Sequence, residues 1–169
     1  LHGRTDIQLL TLPESERKLE SSRKRLLNEA DVVFLCLPDD AAREAASWVE
    51  NPDTVVLDTS TAHRTAPGWC YGFPELSPVQ EARLRQAKRI AVPGCHASGF
   101  IARVYPLISA GLLAPDVLLS CYSLTGYSGG GKKMIAEYRA PERSPLLNAP
   151  RQYALGPVSY THLTLPTIC

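Results

Sequence analysis

The sequence has almost no excess of charge of either sign: 18 Lys and Arg stand against 17 Asp and Glu, a net +1. It therefore lacks the electrostatic footprint of a nucleic-acid binder. It has no apolar run long enough to span a membrane, and its opening residues do not read as a secretory signal. The five cysteines (36, 70, 95, 121 and 169) include no C-x-x-C pair and no metal-ligand spacing. That argues against a disulfide scaffold or a structural zinc site and suits a reducing cytoplasm. No internal repeat, low-complexity segment, Ser-His-Asp order or paired-carboxylate spacing stands out. What is present is ordinary globular material. Of 169 residues, 44% are hydrophobic and 21% charged, enough for one large domain or parts of two.

The two ends differ in character from the rest. Residues 1–3, Leu-His-Gly, read as the last turn and glycine stop of a helix. Residues 157–169 carry no Asp, Glu, Lys or Arg and alternate Thr with apolar residues. They are read as a foreign tail and left out of the site.

Between the ends, apolar runs alternate with helical patterns. Residues 7–12 read as a short strand ended by Pro13, and residues 14–30 as an amphipathic helix. Residues 31–37 form a continuous apolar run stopped by Pro38, the signature of a parallel strand buried on both faces. Asp39 or Asp40 can cap the helix that follows. Residues 54–58 are the next strand, and 59–73, rich in Thr, Pro and Gly, a long loop. A helix starts at Pro78 and a strand spans 88–92. A further helix opens at Cys95, contains Pro106 (which predicts a kink) and stops at Gly111. Residues 116–124 read as another strand. The alternation predicts an α/β fold with a mostly parallel sheet, whose ligands sit beyond the C-terminal strand ends.

Four of those ends carry chemistry. Cys95 follows Pro93-Gly94 at a strand-to-helix junction, where backbone N–H groups and the helix dipole favour negative charge on sulfur. The alternative is a small buried hydrophobe. Ser60, Thr61, His63 and Arg64 cluster after another strand; Arg64 can hold a carboxylate or phosphate with two parallel bonds, or else pair with Asp58. His63 alone is weak, and His96 leaves the helix on a different face from Cys95. Residues 126–133 nearly match a phosphate loop, but Lys133 stands where Ser or Thr should bind magnesium. Its three glycines imply close approach to an anionic ligand or cofactor ring, or simply a tight turn with Lys132 and Lys133 solvated.

Five motifs taken together resemble the shorter form of the N-acetyl-γ-glutamyl-phosphate reductase family. They are Cys36-Leu-Pro-Asp-Asp-Ala41, Asp58-Thr-Ser-Thr-Ala-His-Arg64, Gly68-Trp-Cys-Tyr-Gly-Phe-Pro-Glu-Leu76, Pro93-Gly-Cys95 and Thr125-Gly-Tyr-Ser-Gly-Gly-Gly-Lys132. The resemblance covers about residues 1–156. It implies a Rossmann-like NADP-binding domain over 1–94, whose first strand and glycine loop would lie upstream of Leu1. Part of an α+β catalytic domain of the semialdehyde-dehydrogenase type would follow over 95–156. It makes Cys95 the nucleophile toward an acyl phosphate, Ser60 and Arg64 the substrate-binding residues, and Leu37, Pro38, Ser128, Gly129 and Gly130 neighbours of NADPH. The family's catalytic histidine falls on no residue of this chain. The resemblance further implies a cytoplasmic homo-oligomer in the full-length parent, with no nucleic-acid or membrane partner. An aspartate-semialdehyde-type dehydrogenase shares the thiol chemistry. A ligand-binding, inactive fragment is the reading from another class.

Overall fold

Three of the apolar runs become strands of one parallel sheet. The computed structural model describes residues 3–150; the tail at 157–169 and the end of the segment assigned to 95–156 lie outside the described residues. The strands are β1 (Val32–Leu35), β2 (Val55–Asp58), β3 (Cys70–Tyr71) and β4 (Arg89–Ala91), in the spatial order β1-β2-β4-β3. Every pairing is parallel: Val33 opposes Val56, Asp58 opposes Ala91, and Tyr71 also opposes Ala91. All four C-terminal ends therefore open on one edge, where ligands of such sheets bind.

Helices α1 (Glu20–Glu29), α2 (Asp39–Ser47), α3 (Pro78–Gln86), α4 (Cys95–Ser109) and α5 (Gly131–Arg139) complete the regular structure. Two apolar clusters hold it together. Val33, Leu35 and Val56 of the sheet pack with Ala45 and Val49 at α2. Tyr71 and Leu76 pack with Ala97 and Ile101, the first two turns of α4. The second cluster fixes the start of α4 against the end of β3. Local chemistry sets the start of α3 and the end of α4 where the sequence places them. Ser77 accepts the Gln80 N–H at 3.1 Å ahead of Pro78. Gly111, at φ +69°, closes α4 by donating to the Ile108 carbonyl.

Six local expectations are corrected. Residues 7–12 and 116–124 form no strand: their composition suits one, but a strand needs a neighbour, and no described segment pairs with either. The first helix begins at Glu20, after a turn, rather than near residue 14. Strand β1 is buried on one face only, because Val32 and Phe34 are 48% and 57% exposed while Val33 and Leu35 point into the core. The long loop at 59–73 contains the two-residue strand β3. Finally, neither Asp39 nor Asp40 caps α2; Pro38 occupies the cap position with no side-chain bond.

Candidate active site

The end of β4 runs directly into α4 through Val92-Pro93-Gly94, and Cys95 is the first residue of that helix. Its side chain is exposed and unbridged. The first N–H groups of a helix have no intrahelical acceptor, so the thiol sits among donors available to a developing oxyanion.

Arg64 reaches this junction from the loop after β2. Its Nε donates to the Val92 carbonyl at 3.1 Å and its Nη2 to the Thr59 carbonyl at 3.3 Å. A Cβ built on Gly94 would lie 2.7 Å from Arg64 Nη1. Glycine before Cys95 is thus what leaves room for the guanidinium. The arginine does not pair with Asp58; it lies across the sheet edge, beside the residue preceding Cys95.

Asp58 shapes the loop instead. It is fully buried at the last position of β2. Its Oδ1 accepts the Ser60 N–H at 2.9 Å, its Oδ2 accepts the Ser60 hydroxyl at 2.7 Å, and His63 Nδ1 lies 2.6 Å from Oδ2. The His63 ring stacks on Trp69, with centroids 3.9 Å apart. Thr61 donates its N–H and hydroxyl to Asp39 of α2. These bonds fold residues 58–64 back on themselves and aim Arg64 at β4. Ser60, one of the expected substrate ligands, is 8% exposed with its hydroxyl committed to Asp58 and the Ala62 N–H. Asp58 and His63 carry more of the geometry than the sequence suggested. The available signal was the i, i+2 and i, i+5 spacing of Asp, Ser and His after a strand.

Behind this edge, Tyr71 is buried against α4, and among the described residues its hydroxyl has no hydrogen-bond partner. Burial raises its pKa above the ordinary tyrosine value, an effect that the positive charge of Arg64 partly offsets.

On the other side of Cys95, an open groove of about 690 Å³ runs along α4. Thr125 and Gly126 are in its wall, and His96 Nδ1 lies 2.7 Å from the Ser123 hydroxyl. The glycine-rich turn follows at Tyr127–Gly130 and leads into α5. Ser128, Gly129 and Gly130 do not line the groove. Two of these glycines are crowded from within: a Cβ would meet Thr125 Oγ1 at 2.6 Å on Gly129 and Met134 Sδ at 2.5 Å on Gly130. With no strand before the turn and exposed Lys132 and Lys133, the phosphate-loop resemblance has no structural support. Leu37 and Pro38 lie at the end of β1, on the same sheet edge but beyond β2 from Cys95. Among the described residues no group of His, Cys, Asp and Glu is arranged to hold a metal ion. No helix of these residues is long and apolar enough to cross a membrane.

Comparison with known proteins agrees with this arrangement. Residues 8–84 match the NAD-binding domain of semialdehyde dehydrogenase, and residues 95–163 match its dimerisation domain. The second match begins at Cys95. The chain is 50% identical over 141 residues to N-acetyl-gamma-glutamyl-phosphate reductase 2 of Pseudomonas putida, covering 83% of this chain and 45% of that protein. It is 46% identical over 168 residues to the N-acetyl-gamma-glutamyl-phosphate reductase of a Chelativorans species (99% and 53%). It is also 46% identical over 149 residues to that of Rhizobium meliloti (88% and 48%). The chain thus spans about half the length of the curated relatives it matches. A parallel α/β sheet, a cysteine opening the helix after β4 and these paired matches lead to one conclusion: the chain belongs to the semialdehyde dehydrogenase family.

Proposed function

We propose that the protein to which this chain belongs reduces N-acetylglutamyl 5-phosphate to N-acetylglutamate 5-semialdehyde and phosphate with NADPH, as a step of arginine biosynthesis. The supporting observation is the exposed Cys95 at the start of α4 with Arg64 packed against Gly94. In this reading the Cys95 sulfur adds to the acyl carbon, the carbon–oxygen bond to phosphate breaks, and a thioester remains on Cys95. First-turn N–H groups of α4 hold the carbonyl oxygen as it gains charge. Arg64 Nη1 faces the departing phosphate, while Nε and Nη2 fix the guanidinium to the backbone. The nicotinamide cofactor, when bound, supplies the hydride that converts the thioester to the aldehyde. The carbon–sulfur bond then breaks and returns the thiolate.

The residues at the end of β1 suit an uncharged ring better than a phosphate. Leu37 is half-buried on the core and Pro38 is exposed, while Asp39 and Asp40 stand in the first turn of α2. Leu37 and Pro38 would border that ring. Ser128, Gly129 and Gly130 would contact the nicotinamide or phosphate side of the same cofactor. The match to a dimerisation domain supports a homo-oligomer.

In the whole protein, Cys95→Ser should lower acyl-phosphate reduction by at least about 1,000-fold, as removal of a covalent nucleophile does elsewhere. Arg64→Ala should raise KM for the acyl phosphate. Undiminished turnover by Cys95→Ser would refute the covalent route. Preference for an aspartyl over an N-acetylglutamyl phosphate would reassign the substrate.

A further inference from the structure

Two of the described cysteines line the same groove. Cys95 opens α4 on one wall, and Cys121 lies on the segment that faces it. Both are exposed and unbridged. Cys36 and Cys70 are not among the groove's lining residues. Cys36 follows β1, the outer strand beyond β2, and Cys70 sits in β3, where Gln80 Nε2 donates to its sulfur at 3.6 Å. The proposed reaction uses Cys95 and gives Cys121 no role.

The two walls touch beside the pair. His96 follows Cys95, and its Nδ1 lies 2.7 Å from the hydroxyl of Ser123, two residues after Cys121. Two residues of chain reach at most about 7 Å, so Cys121 is tethered within that length of the first turn of α4. A disulfide needs Cα atoms about 4.4–6.8 Å apart. Helix α4 is held in place, because Ala97 and Ile101 lock its first two turns into the second apolar cluster. The facing segment is free to adjust. From residue 118 to 125 it makes no backbone–backbone hydrogen bond among the described residues, and Leu118, Tyr122 and Leu124 are exposed. Bringing Cys121 to Cys95 therefore breaks no ladder and empties no core.

We propose that Cys121 is a resolving thiol for Cys95, and that a peroxide drives the two into a disulfide across the groove. In the first step the Cys95 sulfur attacks hydrogen peroxide and the oxygen–oxygen bond breaks. One oxygen stays on sulfur as a sulfenic acid and the other leaves as water. In the second step the Cys121 sulfur attacks the sulfenic sulfur, the sulfur–oxygen bond breaks, and a second water leaves. Two thiols are oxidised by two electrons and one peroxide is reduced to two waters. A dithiol reductant reverses the bond and is itself oxidised to a disulfide. With its sulfur in the link, Cys95 cannot form a thioester; this consequence, unlike the bond itself, rests on the proposed function. Cys121 thereby spares Cys95 the irreversible oxidation to sulfinic acid.

The test treats this chain with hydrogen peroxide, blocks the remaining thiols with N-ethylmaleimide and digests it with trypsin without reduction. Trypsin places Cys95 in peptide 90–103 and Cys121 in peptide 104–132. Mass spectrometry should find these two joined, lighter than their sum by two hydrogens, and dithiothreitol should restore both. In Cys121→Ser the linked pair should vanish, dimedone should trap a sulfenic acid on Cys95, and longer exposure should give a sulfinic acid that dithiothreitol does not reverse. Because Cys121 is exposed, this replacement should leave the melting temperature unchanged. A bond from Cys95 to Cys36, Cys70 or Cys169 in its place would overturn the proposal, as would sulfinic acid forming on Cys95 equally fast in the parent chain and in Cys121→Ser. So would linked peptides that are all of mixed origin when isotope-labelled and unlabelled chains are oxidised together. The proposed function is checked separately: inorganic phosphate should protect Cys95 from iodoacetamide in the parent chain and less in Arg64→Ala. Failure of that protection with the linked pair present would overturn the function and leave the disulfide standing.

Discussion

Gly94 carries a single-atom argument. Its backbone, at φ −85° and ψ 153°, is one that any residue adopts. The three atoms nearest to where a Cβ would stand all belong to the Arg64 guanidinium, with Nη1 at 2.7 Å. Gly94→Ala should therefore leave the melting temperature nearly unchanged while displacing the guanidinium. Phosphate protection of Cys95 should drop in the variant, and a large loss of stability with phosphate protection intact would contradict that reading. Asp58 is the opposite case. It is buried and accepts two hydrogen bonds from Ser60, with His63 against the same carboxylate. Asp58→Ala should destabilise the chain by about 2–4 kcal/mol in urea titrations, because several buried donors lose their acceptor at once. Tyr71 gives a pH dependence. Burial raises its folded-state pKa above the ordinary value of 10.0, so the folded state keeps the proton that the unfolded state releases. Its contribution to stability is complete below the unfolded pKa and is lost as pH rises above it. Tyr71→Phe should flatten the alkaline fall in stability. It should not destabilise the chain near neutral pH, since the hydroxyl has no partner to lose among the described residues.

At the scale of elements, continuous apolar runs between turn residues made β1, β2 and β4 readable. Pro78 and Cys95 marked two helix starts because Ser-Pro and Pro-Gly are strong local punctuation. Strand β3 was invisible: two residues, Cys70 and Tyr71, have no period to detect, and their pairing with Ile90 and Ala91 is a long-range event. Residues 116–124 mislead in the other direction. Their side chains suit a strand, yet Leu118, Tyr122 and Leu124 are 98%, 87% and 81% exposed. Propensity alone cannot order a strand without a neighbour. At the site, the placement of Cys95 and Arg64 beyond strand ends was legible because each follows an apolar run, while their roles are those proposed above. The direction of the Ser60 hydroxyl was not, because only the folded loop brings it onto Asp58. The Ser77 cap is a local device that should behave locally. Ser77→Ala removes the acceptor of the Gln80 N–H and should cost about 1 kcal/mol in chemical denaturation, with no change in Cys95 labelling.

The whole molecule is organised by direction. Because all four strands run parallel in the order β1-β2-β4-β3, loops distant in sequence meet at one edge. Arg64 can then bond the Val92 carbonyl across 28 positions of chain and lie against Gly94, the residue before Cys95. In the function proposed above, the parallel edge, the helix that starts at the cysteine and the arginine packed on its glycine would together make a thiol nucleophile for an activated acyl group. Exposure does not single out this thiol, because Cys36 and Cys121 are also exposed and Cys70 is half-buried. The decisive measurement is brief, limiting iodoacetamide treatment of the folded chain, with each cysteine peptide quantified by mass spectrometry. Cys95 should label first, ahead of Cys36 and Cys121, and phosphate should slow Cys95 alone. Faster labelling of Cys36, Cys70 or Cys121 would contradict the assignment of Cys95 as the nucleophile.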